Sequence, residues 1–164
     1  MLPPPLQAIP VLAELQRWDP SALLEGKLDR GEVTLVIEPG KILEVCRRLK
    51  QEGGFRRLSS ITAVDWHPAA PRFEVVYHLH NLETNQRLRL KCRLEEGAEL
   101  DSVTPVWRGA DWYEREVWDL FGIRFRNHPN LRRLLLPEDW SDHPLRKDFP
   151  VHGRRYDYAE EGAP

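Results

Sequence analysis

His78 and His80 stand two residues apart in the run RFEVVYHLHNL. On a β-strand that spacing puts both imidazoles on one face, where they could offer two ligands to zinc or copper. A third ligand would have to come from His67, His128, His143 or His152, and no spacing in the chain brings one close. His67, His128 and His143 each precede proline, which is a turn habit. Glu114, Glu116 and Asp119 form a second candidate, paired carboxylates for acid–base work. On a helix, however, Glu114 and Glu116 point apart and Arg115 lies between them. Pairs Asp111–Arg115 and Arg115–Asp119 at i,i+4 then read as an ion-paired helix surface. A third candidate is the row Arg87, Arg89, Lys91 and Arg93, which alternates down RLRLKCRL and could track a nucleic-acid backbone. No exposed aromatic interleaves it to stack bases, and Glu74 on the neighbouring strand can offset part of its charge. It reads as a solvated sheet face or a protein contact.

Other chemistries lack their residues. Cys46 and Cys92 are far apart and form no CxxC, which excludes a self-contained tetrathiolate zinc or iron–sulfur site. Two packed, reduced thiols are expected. Ser59, Ser60 and Ser141 have no triad context, and nothing matches GxGxxG, a phosphate loop or HExxH. The net charge of -2 gives no bulk attraction to nucleic acid. The start, MLPPPLQAIP, has neither the basic nor the apolar region of a signal peptide. No window approaches the roughly 20 apolar residues that cross a bilayer, so membrane association is expected only through a partner.

The 164 residues suit one domain with a core that needs no staples. Residues 1–31 read as a proline-led arm and a short helix opened by Pro20 and Ser21 and ending near Gly31. Val33 to Ile37 is a buried strand. Pro39 opens a helix with Ile42, Val45, Cys46 and Leu49 on its buried stripe, closed by Gly53-Gly54. Phe55 to Trp66 is a less regular strand through Leu58, Ile61 and Val64. The alternating runs around His78 and Cys92 form a hairpin, with Phe73, Val75, Tyr77, Leu79, Leu88, Leu90, Cys92 and Leu94 facing the core. Val103 to Trp107 reads as a short extended piece. Asp111 is expected to N-cap the next helix, with Glu114 in a capping-box relation; Tyr113, Val117, Leu120 and Phe121 line its stripe, and Gly122 stops it. An extended IRF piece and a His128-Pro129 turn follow. The fold class is α+β: a mainly antiparallel sheet with helices packed on it, then an extended C-terminal tail. The division is residues 1–31, 32–136 and 137–164.

The stretch ADWYEREVWDLFGIRFRNHPNLRRLLLPEDW, joined to HPLRKDFP, concentrates charged pairs, aromatics and His-Pro turns in about a quarter of the chain. It closely resembles the signature of the 30 kDa-type subunit family of respiratory complex I, the proton-pumping NADH:quinone oxidoreductase. FRRLSSITAVDW, RFEVVYHL, RLRLKCRLEE and SVTPVWRGADWYERE follow the family's order, and the likeness runs from about Val33 to Val151.

The resemblance implies a peripheral-arm subunit without catalytic residues or cofactor of its own, FMN and the iron–sulfur clusters being held by partner subunits. It implies docking on the large 49 kDa-type (D) subunit beside the iron–sulfur subunits B and I, with no nucleic acid. The place would be the cytoplasmic face of a bacterial inner membrane. The signature falls on Glu114, Arg115, Glu116, Asp119, His128, Arg132, Arg133, His143, Arg146, Lys147 and Asp148 as candidate partner-interface residues. Phe121, Gly122, Pro129, Pro144 and Leu145 complete it. Glu116, Arg133, Arg146 and Lys147 are expected in cross-subunit ion pairs, Phe121 and Gly122 in the fold, and Pro137–Val151 extended over the 49 kDa-type subunit. Asn127 stands where the family often has glycine, which points to a left-handed residue. The chain also stops soon after Tyr158, where some relatives extend further. Alternatives are the equivalent subunit of a membrane-bound hydrogenase or formate-oxidising complex, a stand-alone metal-dependent protein using His78 and His80, and an RNA-binding module.

Overall fold

Two neighbouring strands make the centre of the molecule, which a computed structural model describes over residues 3–150. The expectations at Val151, His152 and Tyr158 lie outside the described residues. β4 (Phe73–Asn81) and β5 (Gln86–Leu94) pair antiparallel as the expected hairpin, Phe73 opposite Leu94 and Tyr77 opposite Leu90. β3 (Arg57–Asp65) adds antiparallel to β4, with a bulge between Leu58 and Ser60. The bulge lets Leu58 and Ile61 share the inner face and turns Val64 to the outer one.

On the other side β2 (Glu32–Ile37) pairs parallel with β5, and β1 (Leu23–Asp29) pairs antiparallel with β2, giving the order β1-β2-β5-β4-β3. β1 corrects the helix expected from Pro20 to Gly31. Pro20 does start a helical turn, capped by the Asp19 carboxylate on the Ser21 N–H, but it is a single 3-10 turn ending at Ala22. Arg30 and Gly31 then adopt φ of 52° and 81° between the paired residues Asp29 and Glu32, the conformation of a two-residue hairpin. The helical residues of this region come earlier. A short α1 (Pro4–Gln7) precedes α2 (Pro10–Trp18), which buries Val11, Leu12 and Leu15.

α3 (Ile42–Gln51) follows a 3-10 turn at Pro39 and buries Ile42, Val45, Cys46 and Leu49, the stripe that the spacing predicts. The helices and the inner sheet face close over one core that includes Leu15, Leu35, Tyr77, Leu90 and Val117. Cys46 and Cys92 are free thiols within it. Burial pushes both thiols up and keeps them protonated.

The expected extended piece at Val103–Trp107 is displaced. The strand is β6 (Glu99–Asp101), and residues 103–107 run as turns to α4 (Ala110–Phe121). β7 (Arg124–Arg126) returns parallel to β6, making a second, two-stranded sheet. Gly122 ends α4 at φ 76°, and Asn127 takes φ 59°, both left-handed as their types predict. The architecture is α+β, with the helices laid on a sheet whose pairings are antiparallel except between β2 and β5.

Candidate functional site

Helix α4 ends with four carbonyls that its own backbone cannot satisfy. Gly122 N–H closes on Trp118 O at 2.8 Å. Asp119 O receives Arg133 Nη1 at 2.9 Å and His143 Nδ1 at 2.9 Å. Leu120 O receives the backbone N–H of Leu145 at 3.0 Å, and Phe121 O receives Arg146 Nε at 2.6 Å. The sequence His143-Pro144-Leu145-Arg146 is therefore a cap supplied from more than twenty residues downstream. Its cations also face the negative end of the helix dipole. Because a carbonyl only accepts, His143 carries its proton on Nδ1; burial, with Arg146 and Arg133 nearby, pushes its pKa down.

The side chain of Asp119 continues the same junction. Its Oδ2 accepts three successive backbone N–H groups, those of Leu134, Leu135 and Leu136, at 3.0, 2.7 and 3.0 Å. Its Oδ1 holds Arg133 at 2.8 Å. Burial alone would raise this carboxylate's pKa; Arg133 and the amides outweigh it and hold the group below its usual range. Arg133 also donates to Trp140 O and Asp142 O, so one guanidinium ties α4 to the segment that caps it.

A second junction fastens the end of that segment to the main sheet. Asp65, buried at the end of β3, accepts Arg72 Nε and Nη2 at 3.1 and 2.9 Å and the backbone N–H of Lys147 at 2.9 Å. Arg72 also reaches Glu96 at 2.9 Å and Asp148 at 2.7 Å, and Arg146 meets Glu96 at 3.2 Å. The Arg72 and Arg146 guanidinium carbons lie 4.9 and 5.3 Å from the Phe73 ring centre. Over 137–150, the described part of the expected tail, the chain is thus bonded to its own domain.

The remaining acidic candidate has turned inward as well. Asp111 lies in the first turn of α4 without capping it, since the N-cap is Gly109 and no side chain bonds there. Glu114 is fully buried and accepts Ser102 Oγ at 2.6 Å and the Val103 N–H at 2.7 Å in place of a capping box. Burial pushes its carboxyl up to about 7. The i,i+4 pairs through Arg115 do not form. Arg115 is buried and donates to the carbonyls of Arg132 and Arg133 at 3.2 and 2.9 Å, with Trp112 stacked 5.1 Å away. His128 donates through Nε2 to Asp111 O at 3.2 Å and accepts the Asn130 N–H on Nδ1.

The signature thus divides. Glu114, Arg115, Asp119, His128, Arg133, His143, Arg146 and Asp148 bond within the chain. Glu116, Arg132 and Lys147 are exposed, and their side chains have no ion-pair partner among the described residues. Trp112, one turn before Glu116 on α4, is 59% exposed, and Leu135 and Leu145 are 61% and 51% exposed. Sequence reasoning missed Asp65, Arg72, Glu96 and Ser102, whose partners are remote in the chain and leave no local spacing to read.

On the outer sheet face His78 bonds Ser60 and Arg89, and His80 bonds Asn85. Among the described residues no group of three or more His, Cys, Asp or Glu side chains converges as a metal site would need.

The model of the respiratory-chain NADH dehydrogenase 30 kDa subunit matches residues 35–155, a span that holds every bonded pair of the two junctions. The chain belongs to that family. It is similar to the NADH-quinone oxidoreductase C subunit of Citrifermentans bemidjiense, 47% identical over 134 residues that cover 81% of this chain and 83% of the relative. To the protein of the same name from Rhodobacter capsulatus it is 41% identical over 154 residues, 91% of this chain and 77% of that one. Among solved structures it is similar to a chain of the membrane-bound sulfane sulfur reductase, an archaeal respiratory membrane complex. There the TM-score is 0.75 and the identity 30%, covering 88% of this chain and 86% of the other. As a 30 kDa-family chain it has, among its described residues, no helix long and apolar enough to cross a membrane.

Proposed function

We propose that this chain is a non-catalytic peripheral-arm subunit of a proton-translocating NADH:quinone oxidoreductase. In this reading it scaffolds the quinone-reducing module by docking on the large 49 kDa-type subunit beside the iron–sulfur subunits. It sits at the cytoplasmic face of a bacterial inner membrane and holds no cofactor of its own, FMN and the clusters belonging to partners. The observation that carries the reading is the division of the family signature. Its inward half locks α4 and residues 137–150 into one body, while Glu116, Arg132, Lys147, Trp112, Leu135 and Leu145 are left facing out. Exposed aromatic and aliphatic side chains beside unpaired charges are what a partner surface needs: apolar burial for affinity, charge for register.

The test is recovery of the tagged chain from gently solubilised membranes, with bound subunits identified by mass and NADH:quinone activity assayed. Glu116→Lys with Arg132→Glu is expected to reduce assembled complex while the isolated chain keeps its melting temperature. Normal assembly in that variant would overturn the role given to these residues.

The likeness to the sulfane sulfur reductase chain favours one second reading, the equivalent subunit of another membrane-bound respiratory complex such as a hydrogenase or formate-oxidising machine. The higher identity to NADH-quinone oxidoreductase subunits ranks it second. Co-purification with a nickel-bearing large subunit would promote it.

A further inference from the structure

The main sheet ends differently at its two edges, β3 and β1. Beside β3, α4 packs against the strand, Trp107 Nε1 donates to Arg56 O at 3.1 Å, and the Tyr113 hydroxyl donates to Ser59 O at 3.0 Å. β1 has no such cover among the described residues. α1 lies near it, yet from Leu24 to Asp29 every residue except Gly26 is exposed, Leu24 at 50% and Leu28 at 46%. An open strand edge offers its N–H and C=O groups to another strand.

The faces of β1 follow from its partner. Gly26 and Leu28 stand opposite Leu35 and Val33, which pack in or against the core, whereas Glu25 and Lys27 stand opposite Val36 and Thr34 on the outer face. Alternation carries Leu24 to the side of Gly26 and Leu28. Outward from Gly26 the strand therefore reads alike in both directions, a charge and then a leucine, with the two charges of opposite sign.

We infer that β1 pairs antiparallel with β1 of a second copy of this chain, about a twofold axis at Gly26. Opposite residues of an antiparallel pair share a face. Leu24 then meets Leu28 of the partner subunit, Glu25 meets Lys27 of the partner subunit, and symmetry makes each contact twice. Other registers lose the match. An axis at Lys27 sets that lysine against itself, and an axis between Gly26 and Lys27 sets Glu25 against a leucine. Glycine suits the axis because it lets two backbones approach closely. Glu25 now holds Arg93 at 2.9 and 3.2 Å, and Lys27 holds Asp29 at 2.9 Å; all four are exposed, so both charges can turn to a new partner at little cost. The contact lies at the opposite edge of the sheet from β3 and α4 and does not depend on the assembly reading.

Sedimentation of the isolated full chain from about 1 μM to about 1 mM tests this, and a monomer–dimer equilibrium is expected. Glu25→Lys and Lys27→Glu should each raise the Kd at least about tenfold, since like charges then oppose each other twice. An equal mixture of the two variants restores both opposite-charge pairs and should associate at least about tenfold more tightly than either variant with itself. Gly26→Cys places two thiols at the axis. Opposed Cα atoms there stand about 4.5–5.5 Å apart, within disulfide reach, so mild oxidation should give a covalent dimer. Cys46 and Cys92 are buried and do not compete. A monomer at every concentration would overturn the inference. A dimer indifferent to both charge variants, a mixture no tighter than its components, or no Gly26→Cys cross-link would overturn it equally. Glu25 and Lys27 are exposed, so an unchanged melting temperature separates lost association from lost fold.

Discussion

Arg72 grips both carboxylate oxygens of Asp148, at 2.7 and 3.2 Å, across 76 residues of sequence. The bond joins the buried start of β4 to the end of the capping segment, and the two partners are not equal. Arg72 also neutralises buried Asp65, whereas the Asp148 side chain is 48% exposed. Asp148→Asn is therefore expected to cost at most about 1 kcal/mol. Arg72→Ala leaves Asp65 buried and uncompensated and should cost about 3–5 kcal/mol. Urea unfolding of the two variants measures the difference, and faster proteolysis within 137–150 should mark Asp148→Asn.

Asp119 is the hinge of the other junction. Asp119→Asn removes the charge opposite Arg133 and sets its amide NH2 against either Arg133 or the three leucine N–H groups. The expected loss is about 3–5 kcal/mol. Because Arg133 also holds Trp140 O and Asp142 O, hydrogen exchange should quicken both in the last turn of α4 and around His143.

Gly122 is constrained twice. Its φ of 76° is left-handed, and an added Cβ would lie 2.6 Å from both Arg146 Nη2 and His143 Cδ2. Gly122→Ala should cost about 1–3 kcal/mol and loosen the cap without touching the sheet. Thermal unfolding and exchange at Leu145 N–H check it.

Stability should fall on both sides of mildly acid pH. The carboxylates of Asp65, Asp119 and Asp148 are held below their ordinary values by Arg72, Arg133 and backbone N–H groups, so their contribution is present above the unfolded value and lost as pH drops. Glu114 has the opposite sign. Its carboxyl rises from 4.5 to about 7, so protonated Glu114 supports the fold below 4.5 and that support is lost as pH climbs through about 7. The full change corresponds to about 3 kcal/mol. Glu114→Gln keeps an acceptor for Val103 N–H and should flatten the neutral limb while leaving the acid limb in place. Denaturation across pH decides it.

What could be read from sequence follows from how local each signal is. The α3 stripe, the β4–β5 hairpin, the Gly122 stop and left-handed Asn127 all rest on residue type and short spacing, and all stand in the structure. The Pro20 helix does not, because a proline and an N-cap fix only a first turn; the Arg30-Gly31 hairpin and the pairing with β2 decide the rest. Spacing presents Glu114, Arg115 and Asp119 as a charged helix surface because it shows which charges can meet and not which side of the helix is covered. Their partners, Ser102, the Arg132 and Arg133 carbonyls and the leucine amides, come from flanking segments that carry no periodic signal.

The way α4 is finished sets an order in which the chain can become whole. A nascent polypeptide that has reached Leu136 contains every residue of the helix and the amides that bind Asp119, yet Leu120 O and Phe121 O still lack their donors. Those arrive only with Leu145 and Arg146. The last turn of a central helix is thus completed only when the chain has grown some ten residues beyond Leu136, and a product cut short before Arg146 carries a frayed helix end as the mark of its own incompleteness.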